Sequence, residues 1–374
     1  MATDRLGLYV HIPYCVKKCN YCDFCSLPTG ANGVSDAYVR RLCDEIGEYR
    51  DLVTSPLSTV YFGGGTPSLL TPLQLERIVD TIHSVFDILP GAELSFEANP
   101  GTVTEEIGSS FRSAGFNRVS LGLQSIHEKE MKILGRIHNL EDFDMAYSIL
   151  RRVGFDNINV DLMYGIPHQT PESFRATLEY VCAVAPEHVS AYGLIVEEGT
   201  SFYRNRESLN LPDADTESDM YELCKSVLAS HGYSHYEISN YARPGYESRH
   251  NLLYWRMDDY IGVGASAHSF YRGKRYFNTD NVPEYIDSVG IGYTDAKITD
   301  REDEMYEYAM LALRLREGLS LTDYEARFGI SFLEGKQKLA NRLIREGLCE
   351  IKDGRFSLTE RGFYVSNSIL VEIL

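Results

Sequence analysis

The stretch Tyr9-Val-His-Ile-Pro-Tyr-Cys15-Val-Lys-Lys-Cys19-Asn-Tyr-Cys22-Asp-Phe-Cys25 joins a short apolar strand to a loop dense in thiols. Cys15, Cys19 and Cys22 follow a C-x3-C-x2-C pattern. Such spacing lets one loop wrap three soft thiolates around a single metal centre, and thiolates select iron-sulfur clusters, zinc or copper(I) over hard cations. A cluster of four irons held by three cysteines keeps one iron open for a small molecule, whereas structural zinc closes its shell with four protein ligands. Cys25 supplies a fourth thiol, so zinc and a disulfide pair stand as alternatives on these residues alone. The adjoining strand end and the aromatic neighbours favour a reactive site.

Outward from this loop, residues 6 to about 195 repeat one rhythm, a β-branched or aromatic run followed by an amphipathic helix. Strands are expected near 6–11, 58–62, 93–98, 118–123, 157–162 and 188–194. Helices are expected over Asp36 to Tyr49, Pro72 to Phe86, Asp142 to Val153 and Pro171 to Val184, two of them opened by Thr-Pro at the cap and first turn. Alternation of this kind means parallel strands with crossover helices. Six units make an open, partial TIM-like barrel, (β/α)6, and the next segment does not show the two further units that a closed eight-stranded barrel needs.

A C-x3-C-x2-C loop after such a strand resembles the radical S-adenosylmethionine (SAM) superfamily. The resemblance implies a [4Fe-4S] cluster held by Cys15, Cys19 and Cys22, with SAM chelated at the open iron. In parallel barrels chemistry gathers at the C-terminal strand ends. There the second strand runs into Tyr61-Phe-Gly63-Gly64-Gly65-Thr66-Pro67, whose glycines let backbone approach a ligand closely. A bare glycine turn is as often structural. Placed after the cysteine loop it is similar to the superfamily's SAM-amino motif, which assigns that role to Gly64, Gly65 and Thr66. Glu97, Gln124 and Asp161 end later strands. One such residue reads equally well as a satisfied core polar group, but three at one end suit ribose hydroxyls and adenine in a dry cleft. Arg136 is a candidate partner for the SAM carboxylate, with an exposed helix charge as its plain alternative.

Over residues 9 to about 200 the chain is similar to the oxygen-independent coproporphyrinogen III oxidase group, through Tyr-x-His-Ile-Pro-x-Cys, Gly-Gly-Gly-Thr-Pro, Gly-Phe-Asn-Arg-Val-Ser-Leu-Gly-Leu-Gln-Ser and Asp-Leu-Met-Tyr-Gly-Ile-Pro-x-Gln-Thr-Pro. The resemblance adds Tyr9 and Tyr21 to the SAM residues. Two departures point to a different branch. The oxidases carry a longer N-terminal leader and a cysteine directly after the next residue beyond the third ligand; here residue 24 is Phe and Cys25 lies one place further. His250-Asn251-Leu-Leu-Tyr254-Trp255 resembles the H-N-x-x-Y-W signature of HemW-type heme chaperones. A histidine beside aromatics, including the only tryptophan, suits an iron ligand and flat walls for a macrocycle, which makes His250, Asn251, Tyr254 and Trp255 the expected heme site. A loop histidine packed under an aromatic lid is the structural alternative, and His268, His235 and Cys25 are further candidate iron donors.

The resemblance thus implies a protein that binds heme and delivers it to acceptor apo-hemoproteins, soluble or membrane-bound, with an oxygen-independent coproporphyrinogen III oxidase as the alternative. Net charge is −18, which disfavours a broad surface for nucleic acid. There is no apolar run of about 18 residues and no signal-peptide region at Met-Ala-Thr-Asp-Arg, so a cytoplasmic protein, not an integral membrane one, is expected. Four of the eight cysteines crowd into eleven positions, unlike a secreted disulfide framework. Residues 301–374 resemble a winged-helix module, with a turn at Lys352-Asp-Gly-Arg355. They carry 11 Lys and Arg against 13 Asp and Glu, so the basic helix of Lys336, Lys338, Arg342 and Arg345 reads as protein docking or interdomain packing, not as a DNA surface. The expected organisation is a barrel over 1–210, a heme-site and connecting region over 211–300, and the winged-helix-like domain over 301–374.

Overall fold

The structure is a computed structural model that describes residues 6–29, 32–291, 294–298 and 300–374. Six strands follow the expected rhythm: β1 (Leu6–Ile12), β2 (Leu57–Gly64), β3 (Ile88–Ala98), β4 (Arg118–Gln124), β5 (Ile158–Tyr164) and β6 (His188–Gly193). Each pairs in parallel with the next. Helices Asp36–Glu48, Pro72–Val85, Leu140–Arg152 and Pro171–Val184 cross over between them. At both Thr-Pro starts the threonine accepts from the backbone N–H three residues on, and that residue's side chain returns to the threonine N–H. Two otherwise orphaned donors are satisfied at each start.

Strand alternation then sorts the barrel into an inside and an outside. On β4, Arg118, Ser120, Gly122 and Gln124 line the interior cavity, whereas Val119, Leu121 and Leu123 join the core under the helices. That outer core contains Phe62, Phe96, Phe111, Phe116 and Phe155, with ring centroids 3.9 to 5.7 Å apart. Full burial of each such ring contributes about 1.5–3 kcal/mol.

Residues 234–298, expected as a connecting region, add six strands to this same sheet. β7 (Ser234–Glu237) and β8 (Asn240–Ala242) continue antiparallel from β6. On the far side β9 (Asp259–Val263) pairs in parallel with β1, a seventh parallel strand that the sequence pattern did not reveal. β10 (His268–Tyr271), β11 (Lys274–Phe277) and β12 (Thr294–Ile298) follow it antiparallel. These strands are short and rich in polar residues, so they lack the apolar run that marks β1 to β6.

The C-terminal part has its own core, built on Ala309, Leu313, Tyr324, Phe328, Leu343 and Phe356. Helices Arg301–Ala312, Leu321–Phe328 and Gln337–Arg345 precede a hairpin of β14 (Cys349–Lys352) and β15 (Arg355–Leu358), whose second strand is central and also pairs with β13 (Leu319–Ser320). Asp353 and Gly354, at φ of 50° and 74°, form the tight turn expected at Lys352-Asp-Gly-Arg355. Within the basic helix, Ala340 and Leu343 are buried and Arg342 pairs with Glu372. Among the described residues no helix is long and apolar enough to cross a membrane.

Candidate functional site

β1 delivers the chain into the cysteine loop at the C-terminal end of the sheet. Cys15, Cys19 and Cys22 line one cavity of about 430 Å³ together with the strand ends. The loop is anchored by Asn20, which donates from its backbone to the Leu134 carbonyl and from its side chain to the Ile133 carbonyl, each at 2.9 Å. Two donors approach the sulfurs: the Thr66 hydroxyl at 3.5 Å from Cys15 Sγ and Arg136 Nη1 at 3.6 Å from Cys19 Sγ. Cys25 turns elsewhere. Its thiol donates to the Asp280 carbonyl at 3.2 Å and borders a second cavity of about 440 Å³.

Tyr21, Gly64, Gly65, Glu97, Gln124, Arg136 and Asp161 line the first cavity with the three cysteines. Glu97 accepts from the Tyr61 hydroxyl at 2.9 Å and the Gly64 N–H at 3.1 Å, and burial pushes its pKa up to about 7 against those hydrogen bonds. Asp161 accepts from Ser120 at 2.8 Å and Asn159 at 2.7 Å; burial raises its pKa as well. Gln124 adopts φ of 64°, and its Oε1 is buried without a partner among the described residues, as is Arg136 Nε. A buried polar atom left unsatisfied costs about 1–3 kcal/mol, and a polar ligand in the cavity removes that cost at Gln124. Three thiols and these polar ends fit a soft-metal cluster with a small polar ligand.

Two expected SAM residues stand outside this cavity. Thr66 is buried behind the loop, donating to Cys15 and accepting from Asn99 Nδ2 at 2.8 Å. Tyr9 borders the second cavity instead, its ring stacked at 6.2 Å on its register partner Tyr61, which lines the first. The walls also contain Arg118, Ser120, Asn159, Ser190 and Tyr192, which sequence reasoning missed, and Asn251, which it assigned to the heme site. Arg118, Ser120 and Asn159 could have been found by stepping back in twos along the strands from Gln124 and Asp161, since alternate positions share a face.

The glycine turn is shaped by its protein neighbours. Gly64 has φ of 105°, and a Cβ there would stand 2.4 to 2.7 Å from the His11 imidazole. His11 is fixed in turn, with Nε2–H donating to the Cys25 carbonyl and Nδ1 accepting from the Tyr9 hydroxyl, both at 2.9 Å. A Cβ on Gly65 would meet backbone atoms of Ile12 and Tyr14 at 2.7 to 2.8 Å. Gly64→Val and Gly65→Ala are therefore expected to lower stability by about 1–3 kcal/mol even without cofactors. Urea unfolding of the unreconstituted chain measures it; wild-type stability in both would return the glycines to a role in ligand approach alone.

The His-Asn-x-x-Tyr-Trp segment forms the helix Arg249–Trp255, capped by Ser248 and by Glu93, which accepts from the Arg249 and His250 backbone N–H groups at 3.0 Å. Its members do not converge on one pocket. His250 is 1% exposed, with Nδ1 on the Thr59 hydroxyl and Nε2 on the Tyr254 hydroxyl, both at 2.7 Å, and its ring stacks on Tyr61 at 5.0 Å. Burial and then the Arg118 cation lower its pKa to about 3. Both nitrogens are engaged within the protein, so the expected iron ligand is a core histidine. Asn251 faces the first cavity, Tyr254 the second, and half-buried Trp255 lines neither. His235 is half-buried, with Nε2 hydrogen-bonded to the Ile238 carbonyl and its ring stacked on Tyr241 at 4.5 Å, and it lines neither cavity.

Residues 9–181 match the radical SAM superfamily, and residues 299–365 match the HemN C-terminal domain. The heme chaperone HemW of Lactococcus lactis subsp. lactis is 34% identical over 372 residues, covering 98% of this chain and 96% of that protein. The chain belongs to the HemW family of the radical SAM superfamily. HemW of Escherichia coli is also 34% identical, over 369 residues and 97% of its length. Among solved structures, coproporphyrinogen III oxidase (HemN) from Escherichia coli, a radical SAM enzyme, superposes with a TM-score of 0.86 at 24% identity, covering 98% of this chain and 89% of that one. The HemW family thus shares its whole fold with an oxidase, and function has to be argued from the sites.

Proposed function

We propose that this chain binds heme and hands it to acceptor apo-hemoproteins, on a barrel that holds a [4Fe-4S] cluster through Cys15, Cys19 and Cys22 and SAM in the cavity beside them. Near-full-length identity of 34% to HemW heme chaperones is the observation that carries this reading. The donor set supports it, since three thiols and an orphaned amide oxygen share one cavity. When bound, the cluster supplies an open iron and an electron to a ligand in that cavity. Arg136 holds positive charge against the cysteine loop, Gln124 offers its free oxygen to a ligand donor, and Asp161 and Glu97 border the cavity as acceptors. The N–H groups of Gly64 and Gly65 already go to Glu97 and the Ile12 carbonyl, so hydrogen bonds from this turn to a ligand fall to its carbonyl oxygens.

The test is a hemin titration of the full chain after anaerobic reconstitution, run beside a turnover assay with coproporphyrinogen III and SAM. Saturable hemin binding with a defined Soret band and no decarboxylated porphyrin is expected. Turnover without saturable hemin binding would replace the chaperone reading by the oxidase one.

A further inference from the structure

The second cavity has the makings of a site for a flat, apolar, iron-bearing macrocycle. Its walls include Tyr9, Phe24, Tyr254 and Tyr260, with Cys25 and His268 at its edge. Tyr254 and Tyr260 meet edge to face at 4.7 Å, and Phe24 is 60% exposed at the mouth. A volume of about 440 Å³ lies within the usual range for ligand clefts. Asp23 and Phe24 line both cavities, so the chain directly after the third cysteine forms the partition between them.

Resting on the cargo reading above, we infer that heme binds in this second cavity and that His268 supplies the imidazole to its iron. Of the two imidazoles that line it, His11 has both nitrogens hydrogen-bonded within the protein, as does His250 in the core behind Tyr254. Among the described residues, the His268 side chain makes no hydrogen bond; the residue is exposed and its ring is stacked on Phe277 at 5.0 Å. The backbone that carries this ring is closely held. A Cβ on Gly262 would stand 2.2 Å from the His268 carbonyl oxygen, so glycine at this point of β9 lets β10 close against it. The preceding turn is clamped from below, where buried Glu45 accepts from the Gly264 N–H at 2.9 Å and from Asn278 at 2.7 Å, and Tyr38 accepts from the Ala265 N–H at 3.0 Å. Partial desolvation and the nearby Arg275 cation lower the His268 pKa, which favours the neutral ring that ligates metal. Cys25 is the weaker donor, since its thiol is hydrogen-bonded to Asp280 and burial raises its pKa.

This arrangement gives the His-Asn-x-x-Tyr-Trp helix a different task from the one its sequence suggests. His250 is a positioning residue. It holds the Tyr254 hydroxyl, so the helix serves as a shared wall that presents Asn251 to the first cavity and Tyr254 to the second.

Hemin is titrated into full-length wild type, His268→Ala and Cys25→Ser, with metal-free protoporphyrin as a second probe. Loss of a partner one shell out from a metal costs roughly 10–100-fold in affinity, so loss of the ligand itself should weaken hemin at least tenfold. His268→Ala is expected to show that loss and a shifted Soret band, with the band restored by added imidazole and protoporphyrin affinity unchanged. Cys25→Ser should match wild type. A wild-type band and affinity in His268→Ala, a loss that imidazole does not restore, or loss in Cys25→Ser alone would overturn the assignment while leaving the cargo reading in place. Absence of saturable hemin binding by wild type would instead fail the cargo reading itself.

Discussion

Alanine at Cys15, Cys19 or Cys22 is expected to abolish the brown visible chromophore after anaerobic reconstitution, together with bound iron and sulfide, whereas Cys25→Ala is expected to retain all three. The three thiols share one cavity, and Thr66 and Arg136 approach the sulfurs of Cys15 and Cys19. Cluster iron is held by cysteine thiolates, so removing one of only three leaves too few ligands. Cys25 borders the other cavity and its thiol is hydrogen-bonded to Asp280, so it stands outside that set. Metal and sulfide analysis on the four single variants decides the matter. Equal content in Cys22→Ala and wild type would refute the ligand assignment, and loss in Cys25→Ala would bring the fourth thiol back into it.

His250→Ala is expected to lower stability by about 3–5 kcal/mol, because it opens a cavity beneath Tyr61 and strips the Thr59 and Tyr254 hydroxyls of their buried partner. The effect should depend on pH in a definite direction. With a folded pKa near 3 against about 6.5 unfolded, the unfolded chain binds the extra proton between those values. The stabilisation from the neutral ring is therefore complete above the unfolded pKa and is lost as pH falls through the window. From about pH 7 to about pH 4.5 this one group should remove about 2–3 kcal/mol. Urea unfolding of wild type and His250→Gln at both pH values measures the difference. Parallel pH slopes would mean that the ring is not held neutral in the fold. Loss of heme in a His250 variant, taken alone, would report this packing and the position of Tyr254.

The legible part of this protein was local. The strands β1 to β6, their Thr-Pro helix starts and the hairpin turn at Asp353 and Gly354 depend on periodicity and capping within a few residues, and the structure follows them closely. The cysteine spacing likewise set three thiols on one loop whatever the rest of the chain does. β9 escaped because a five-residue strand earns its place only by pairing with β1, about 250 positions earlier.

At the sites the division is sharper. Gln124 and Asp161 were readable as polar ends of apolar strands, and strand alternation extends that reading to Ser120 and Asn159. His250 was not readable in the same way. Aromatic neighbours in the sequence marked it as a ligand candidate, but whether an imidazole is free to bind iron depends on what meets its two nitrogens. One partner, Tyr254, lies a helical turn away, while the other, Thr59, comes from a strand 191 positions distant. His268 has no such partner among the described residues because β10 sits near the sheet's outer edge, with its ring toward solvent. Burial and hydrogen-bond saturation are properties of the packed sheet, and they decided which histidine is structural and which is available.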